Sequence, residues 1–131
     1  MKIQSVHPHN VDDTWPLIAG GLIKACDRTG GRVTPDYLYR CCITGDKTYV
    51  ITSDEENLPF MACVVTFENW GGKRVCYINA THGTRMRESM ELLKGWAKYH
   101  GATSVTWDGT EGYKKTFPEA ETVSQTYKLE I

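Results

Sequence analysis

The sequence predicts a mixed α/β (α+β) domain, a largely antiparallel sheet carrying helices on both faces. Three observations predict it. Apolar runs between residues 47 and 81 are punctuated as a three-strand meander. One long amphipathic pattern covers Thr84–His100. A short apolar stretch, Ser104–Asp108, then returns the chain to the sheet.

The long helix organises the rest. Met86, Met90, Leu93 and Ala97 form one stripe of a 3.6-residue period, widened by Leu92 and Trp96. Arg87 and Glu91 face the other way, with Lys94 and Lys98 beyond them. Thr84 is the expected N-cap, and Gly101 after Lys98-Tyr99-His100 is the stop.

Taken in order, Lys2–His7 reads as a short edge strand halted by Pro8. A helix opening at Asn10 or Asp12 keeps its period through Val11, Trp15, Ile18, Leu22 and Ala25. Pro16 is compatible with that helix only inside its first turn. Gly20-Gly21 weakens the helix or lets something pack closely against it. Thr34-Pro35 starts a second, short helix that Gly45 closes. Strands then follow at Lys47–Ser53, Phe60–Glu68 and Arg74–Thr81, the last two joined by a Gly-Gly hairpin at Trp70-Gly71-Gly72-Lys73. After the long helix and the Ser104–Asp108 strand, a short helix is expected over Gly112–Phe117 and a last strand over Thr122–Ile131.

Composition narrows the function classes. The 131 residues make one domain, 1–131, with enough chain for a core of its own. A net charge of −1 with scattered Lys and Arg argues against a nucleic-acid binder or a membrane-surface protein. Five cysteines, an odd number with no C-x-x-C, read as reduced core thiols, not as a zinc site. The N-terminal MKIQSVHPHN lacks the apolar stretch of a signal peptide, and no apolar run is long enough to span a bilayer. A soluble, cytoplasmic protein is the expectation.

The order of elements resembles the GNAT N-acetyltransferase superfamily. Trp96-Ala97-Lys98-Tyr99-His100-Gly101-Ala102 is similar to the W-A-x-x-x-G end of that family's central helix. Gly109-Thr110-Glu111-Gly112-Tyr113, followed by Phe117, resembles the G-R-x-G-W segment of small GNAT-like proteins, many of them phage-encoded. The resemblance implies an acetyl group moved from acetyl-CoA to a small-molecule or protein amine, in a host cytoplasm or virion if phage-encoded. It implies that main-chain groups of Cys76, Tyr77 and Ile78 hold the acyl-CoA. It places the pyrophosphate at the start of the central helix, where free N–H groups and the helix dipole favour an anion. Family members carry [RQ]-x-x-G-x-[GA] there. This chain has Thr81, Thr84 and Met86 at the three defining positions, with Gly83 one position early and Arg85 and Arg87 adding charge. Thr81, Gly83, Thr84, Arg85 and Arg87 are the cofactor-loop candidates.

Two residues carry the catalytic expectation. By resemblance, Tyr113 protonates the departing thiolate; Asp108, at the end of the strand before it, is the candidate base that takes the amine's proton through water. Each also has a plainer reading, Tyr113 as a packed aromatic and Asp108 as a turn residue before Gly109. Glu68 is a weaker base candidate. His82 lies in the strand-to-helix loop, within reach of phosphate or substrate, and His7 and His9 flank Pro8 as a solvated corner. Trp70 marks a partner surface or folds back on the sheet. The departures in the loop support a second function, a GNAT-like phage or virion protein that acts through protein–protein contacts without catalysis.

Overall fold

The structure, a computed structural model, describes residues 1–28, 31–109, 115–123 and 129–131. Its elements are β1 (Lys2–Val6), α1 (Val11–Asp27), α2 (Pro35–Thr44), β2 (Thr48–Ser53), β3 (Pro59–Trp70), β4 (Lys73–Gly83), α3 (Met86–Tyr99) and β5 (Ser104–Trp107). A 3-10 turn at Pro8–Asn10 joins β1 to α1. The strands lie in the order β1-β2-β3-β4-β5, antiparallel except for the parallel β4–β5 pair. The mixed, mostly antiparallel sheet read from the sequence is what forms.

Strand alternation sorts the apolar side chains onto two faces. Tyr49, Ile51, Ala62, Val64 and Ala80 pack under α1 and α2 with Val11, Trp15, Ile18, Leu22 and Leu38. Val50, Met61, Cys63, Val65, Cys76 and Ile78 pack under α3 with Met90, Leu93 and Ala97. Ile78 and Ala80, two apart, would share a face in a regular strand. They lie on opposite faces because Val64 pairs with Ala80 while Val65 pairs with Ile78, leaving Asn79 as an extra residue on β4. Lys47 Nζ donates to Asn79 Oδ1 at 3.0 Å, and Asn79 Nδ2 donates to Thr66 Oγ1 at 3.2 Å, so side chains fasten the bulge. All five cysteines are buried and unbridged.

Several expectations about ends are met. Thr34 Oγ1 accepts from Tyr37 N at 3.2 Å and caps α2, and Gly45 closes it at φ +83°. Gly71 and Gly72, at φ +60° and +84°, give the two left-handed residues of a type I′ hairpin. Others change. Pro16 lies in the second turn of α1, not its first. The Asp12 carbonyl that loses a donor there belongs to an exposed residue, and Pro16 is exposed too, so water can satisfy it. α3 begins at Met86 with Arg85 as N-cap at φ +50°, and Thr84 does not cap it. Thr84 N instead donates to Phe60 O at 2.7 Å, extending the β3–β4 ladder past the expected helix start. Lys115 and Thr116 are helical; the remainder of the expected helix before them, 112–114, lies outside the described residues. So do 124–128 of the expected last strand, and the described residues 122–123 and 129–131 are not in a strand.

Candidate active site

β4 and β5 share only four residue pairs, Val75 with Ser104 through Ile78 with Trp107. β4 continues to Gly83, so its edge from Asn79 to Gly83 has no strand beside it among the described residues. The pairing ends beside the Asn79 bulge, an inserted residue of the kind that bends and twists a strand. This bare edge runs straight into the start of α3. Beyond the end of β5, the unpaired β4 main chain therefore leads to a helix N-terminus.

The main chain of Cys76, Tyr77 and Ile78 is taken by β3 on one side and β5 on the other. The open backbone stands just beyond them, at Asn79 to Gly83. Thr81 Oγ1 donates to Ala62 O at 3.2 Å. Gly83, at φ +149°, faces Met61, and a Cβ there would lie 2.1 Å from Phe60 O, so only glycine lets β4 close on β3 at this point. α3 starts with no side-chain cap among the described residues, and its first amides suit an outside acceptor. Met86 packs against the core beneath α3. The Arg85 guanidinium lies 4.9 Å over the Phe60 ring and 3.6 Å from Glu88. Arg87 turns the other way: it donates to Thr116 O at 2.5 Å and pairs with Glu119 at 2.8 Å.

His82 projects from the same bare stretch towards α1. A Cβ on Gly21 would lie 2.0 Å from His82 Cδ2, so the helix glycine makes room for the imidazole. The close approach expected at Gly20-Gly21 is thus made by His82 against Gly21.

Asp108 follows β5. Its Oδ2 accepts from Tyr77 Oη at 2.7 Å and from Arg32 at 2.5 Å. The Tyr77 hydrogen bond, followed by Arg32, holds the Asp108 carboxyl below its ordinary range against some desolvation. Burial and the Asp108 carboxylate push the Tyr77 phenol up to about 12. Trp70 stands 6.1 Å from the Tyr77 ring, and its indole N–H donates to Glu68 at 2.9 Å. The hairpin tryptophan therefore folds back over the sheet. Thr106, opposite Tyr77 in register, has a buried hydroxyl without a partner among the described residues. Tyr113 lies outside the described residues.

Arg32 was missed because it follows Gly31 in a patternless connection, 76 residues from Asp108. The Tyr77 side chain was missed because β4 reads as backbone support. Asn79 carries no signal for a bulge.

These features can be compared with solved structures. Chain coverage is nearly complete in each case. A ribosomal-protein-alanine N-acetyltransferase from Brucella melitensis biovar Abortus 2308 superposes with a TM-score of 0.68 at 10% identity, covering 100% of both chains. A GCN5-related N-acetyltransferase from Ralstonia eutropha JMP134 gives 0.65 at 12%, over 98% of this chain and 97% of that one. The chain has the GNAT fold. Glucosamine-6-phosphate N-acetyltransferase from Arabidopsis thaliana shares it at 0.62 and 14%, over 98% and 97%. No protein-family model and no curated protein matches the sequence. Among the described residues no helix is long and apolar enough to cross a membrane, and no three His, Cys, Asp or Glu side chains are grouped to hold a metal ion.

Proposed function

We propose that this chain is a GNAT-type N-acyltransferase that moves an acetyl group from acetyl-CoA to an amine. The observation that carries the reading is the bare β4 edge, Asn79 to Gly83, leading into the uncapped start of α3. The residues present fit acetyl-CoA. Unpaired main chain suits an amide-bearing pantetheine arm, and free first-turn amides suit a pyrophosphate. Arg85, exposed beside them, adds positive charge, while Thr81, Gly83 and Thr84 shape the turn. Acetyl-CoA would supply the acetyl carbon already activated as a thioester.

The chain's own groups divide the remaining work. β4 N–H groups beside the bulge would hold developing negative charge on the carbonyl oxygen. The amine would enter on the α1 face, where the Asp108 carboxylate, fixed by Arg32 and Tyr77, attracts an ammonium and receives its proton through water. Tyr113 would donate a proton to the departing thiolate. Solved structures sharing the fold are named for amines on a protein and on a small sugar phosphate, so both acceptor classes stay within this reading.

One observation favours a second reading, a GNAT-fold protein that works through protein contacts. Arg87, the second loop cation, is committed to Glu119 and Thr116 O. Calorimetry with acetyl-CoA and desulfo-CoA separates the two. Saturable heat is expected, and Arg85→Ala should weaken binding about two- to fivefold as an exposed charge contact, more than Arg87→Ala does. No heat and no thermal shift at millimolar ligand would leave only the protein-contact reading.

A further inference from the structure

A cavity of about 100 Å³ lies on the α1 face between α1 and the β1–β2 side of the sheet. It is lined by Gln4, Thr14, Ile18, Tyr49, Ile51 and Asn57, among others. Tyr49 belongs to β2, which β3 separates from β4, so this cavity is apart from the unpaired edge of β4.

The Tyr49 side chain is the unusual feature. It is 1% exposed, and its hydroxyl has no hydrogen-bond partner among the described residues. The nearby Thr14 hydroxyl donates to Val11 O at 3.5 Å. The Trp15 ring, edge-on at 5.5 Å, pins the tyrosine ring in place. Burial raises the phenol's ionisation well above its ordinary range, so the group stays a donor at any working pH. A buried donor with nothing to receive its proton costs free energy until something accepts from it.

The walls define what that something is. Ile18 and Ile51, 8% and 6% exposed, form an apolar floor. No lining residue carries a charge, so a charged molecule would lose hydration without gaining a counter-ion. The volume is below the roughly 150 Å³ that accommodates a benzene ring. The rim is rigid: Asp54 Oδ1 accepts from Glu56 N at 2.8 Å and from Leu58 N at 2.9 Å, which fixes Asn57 at φ +69° beside the mouth.

We propose that this cavity binds a small uncharged molecule bearing a carbonyl oxygen, its apolar body on Ile18 and Ile51 and its oxygen accepting from the Tyr49 hydroxyl. The site is independent of acetyl transfer. The test is methyl NMR of Ile18 and Ile51 with N-methylacetamide as the neutral probe and acetate as its charged counterpart. Saturable shifts are expected with the amide and not with acetate. Tyr49→Phe, which removes one unpaired oxygen, should weaken the amide about two- to tenfold and leave acetyl-CoA heat unchanged. Ile18→Phe, which fills the cavity, should abolish the shifts at Ile51. Three results would overturn the proposal: no saturable shift with the amide, equal affinity in Tyr49→Phe, or a crystal soaked with amide that shows only water at Tyr49.

Discussion

Gly20 and Gly21 sit side by side in α1 and meet different surroundings. A Cβ at Gly20 meets nothing within 4 Å, whereas one at Gly21 collides with the His82 ring. Gly20→Ala should therefore stabilise the protein by about 0.5–1 kcal/mol, the usual helix-interior gain. Gly21→Ala should lose that gain and cost about 1–3 kcal/mol through overpacking. Adding His82→Ala should restore most of the loss, a coupling that urea unfolding of the double-mutant cycle measures. The sequence showed that one of two things happens at the glycine pair. It could not show that each glycine takes a different one, since His82 arrives from 61 positions away. Asp108 poses a similar problem. Its depressed folded-state pKa means its contribution is full above the ordinary value of 3.8 and disappears as pH falls through the lower folded value. Both partners are about half exposed. Arg32→Ala should thus cost only about 0.2–1 kcal/mol at pH 7, with the difference from the parent protein vanishing in acid below pH 3.8. Paired unfolding curves across that range check the sign.

At the level of elements, α3 was the most legible. Its stripe of Met90, Leu93 and Ala97 is buried as the period requires. Its first residue was displaced by tertiary pairing: Phe60 O captures the Thr84 amide, and no local pattern signals that. A pair of hydroxyls then ties the helix start to the sheet. Ser89 and Thr52, both 0% exposed, share a hydrogen bond at 2.7 Å, and Thr52 Oγ1 also accepts from Met61 N at 3.2 Å. Ser89→Ala should destabilise by about 1–3 kcal/mol by leaving a buried hydroxyl short of a partner. Thermal unfolding reads this directly, and a shift within error would show that the Thr52 hydroxyl finds another partner. The Asn79 bulge was illegible for the opposite reason. Its cause is a register mismatch between β3 and β4, and the period-two pattern of Cys76, Ile78 and Ala80 looks regular until the partner strand is known.

Across the whole molecule, the meander, the helix that follows it and the returning strand were readable because each has its own apolar period and its own stop. The sheet order and the bare β4 edge arise from where β5 stops pairing, a property of two strands at once. The site inherits that division. Gly83, Thr84 and Arg85 became candidates by their place before the helix, and the unpaired main chain of Asn79 to Gly83 came only from the pairing. Amide NMR of the protein titrated with acetyl-CoA tests the central proposal most directly. The account predicts saturable shifts concentrated at residues 79–83 and at Met86, Arg87 and Glu88, with little change across β1 and β2. Shifts absent at those amides, or gathered instead on the β1–β2 side, would contradict it.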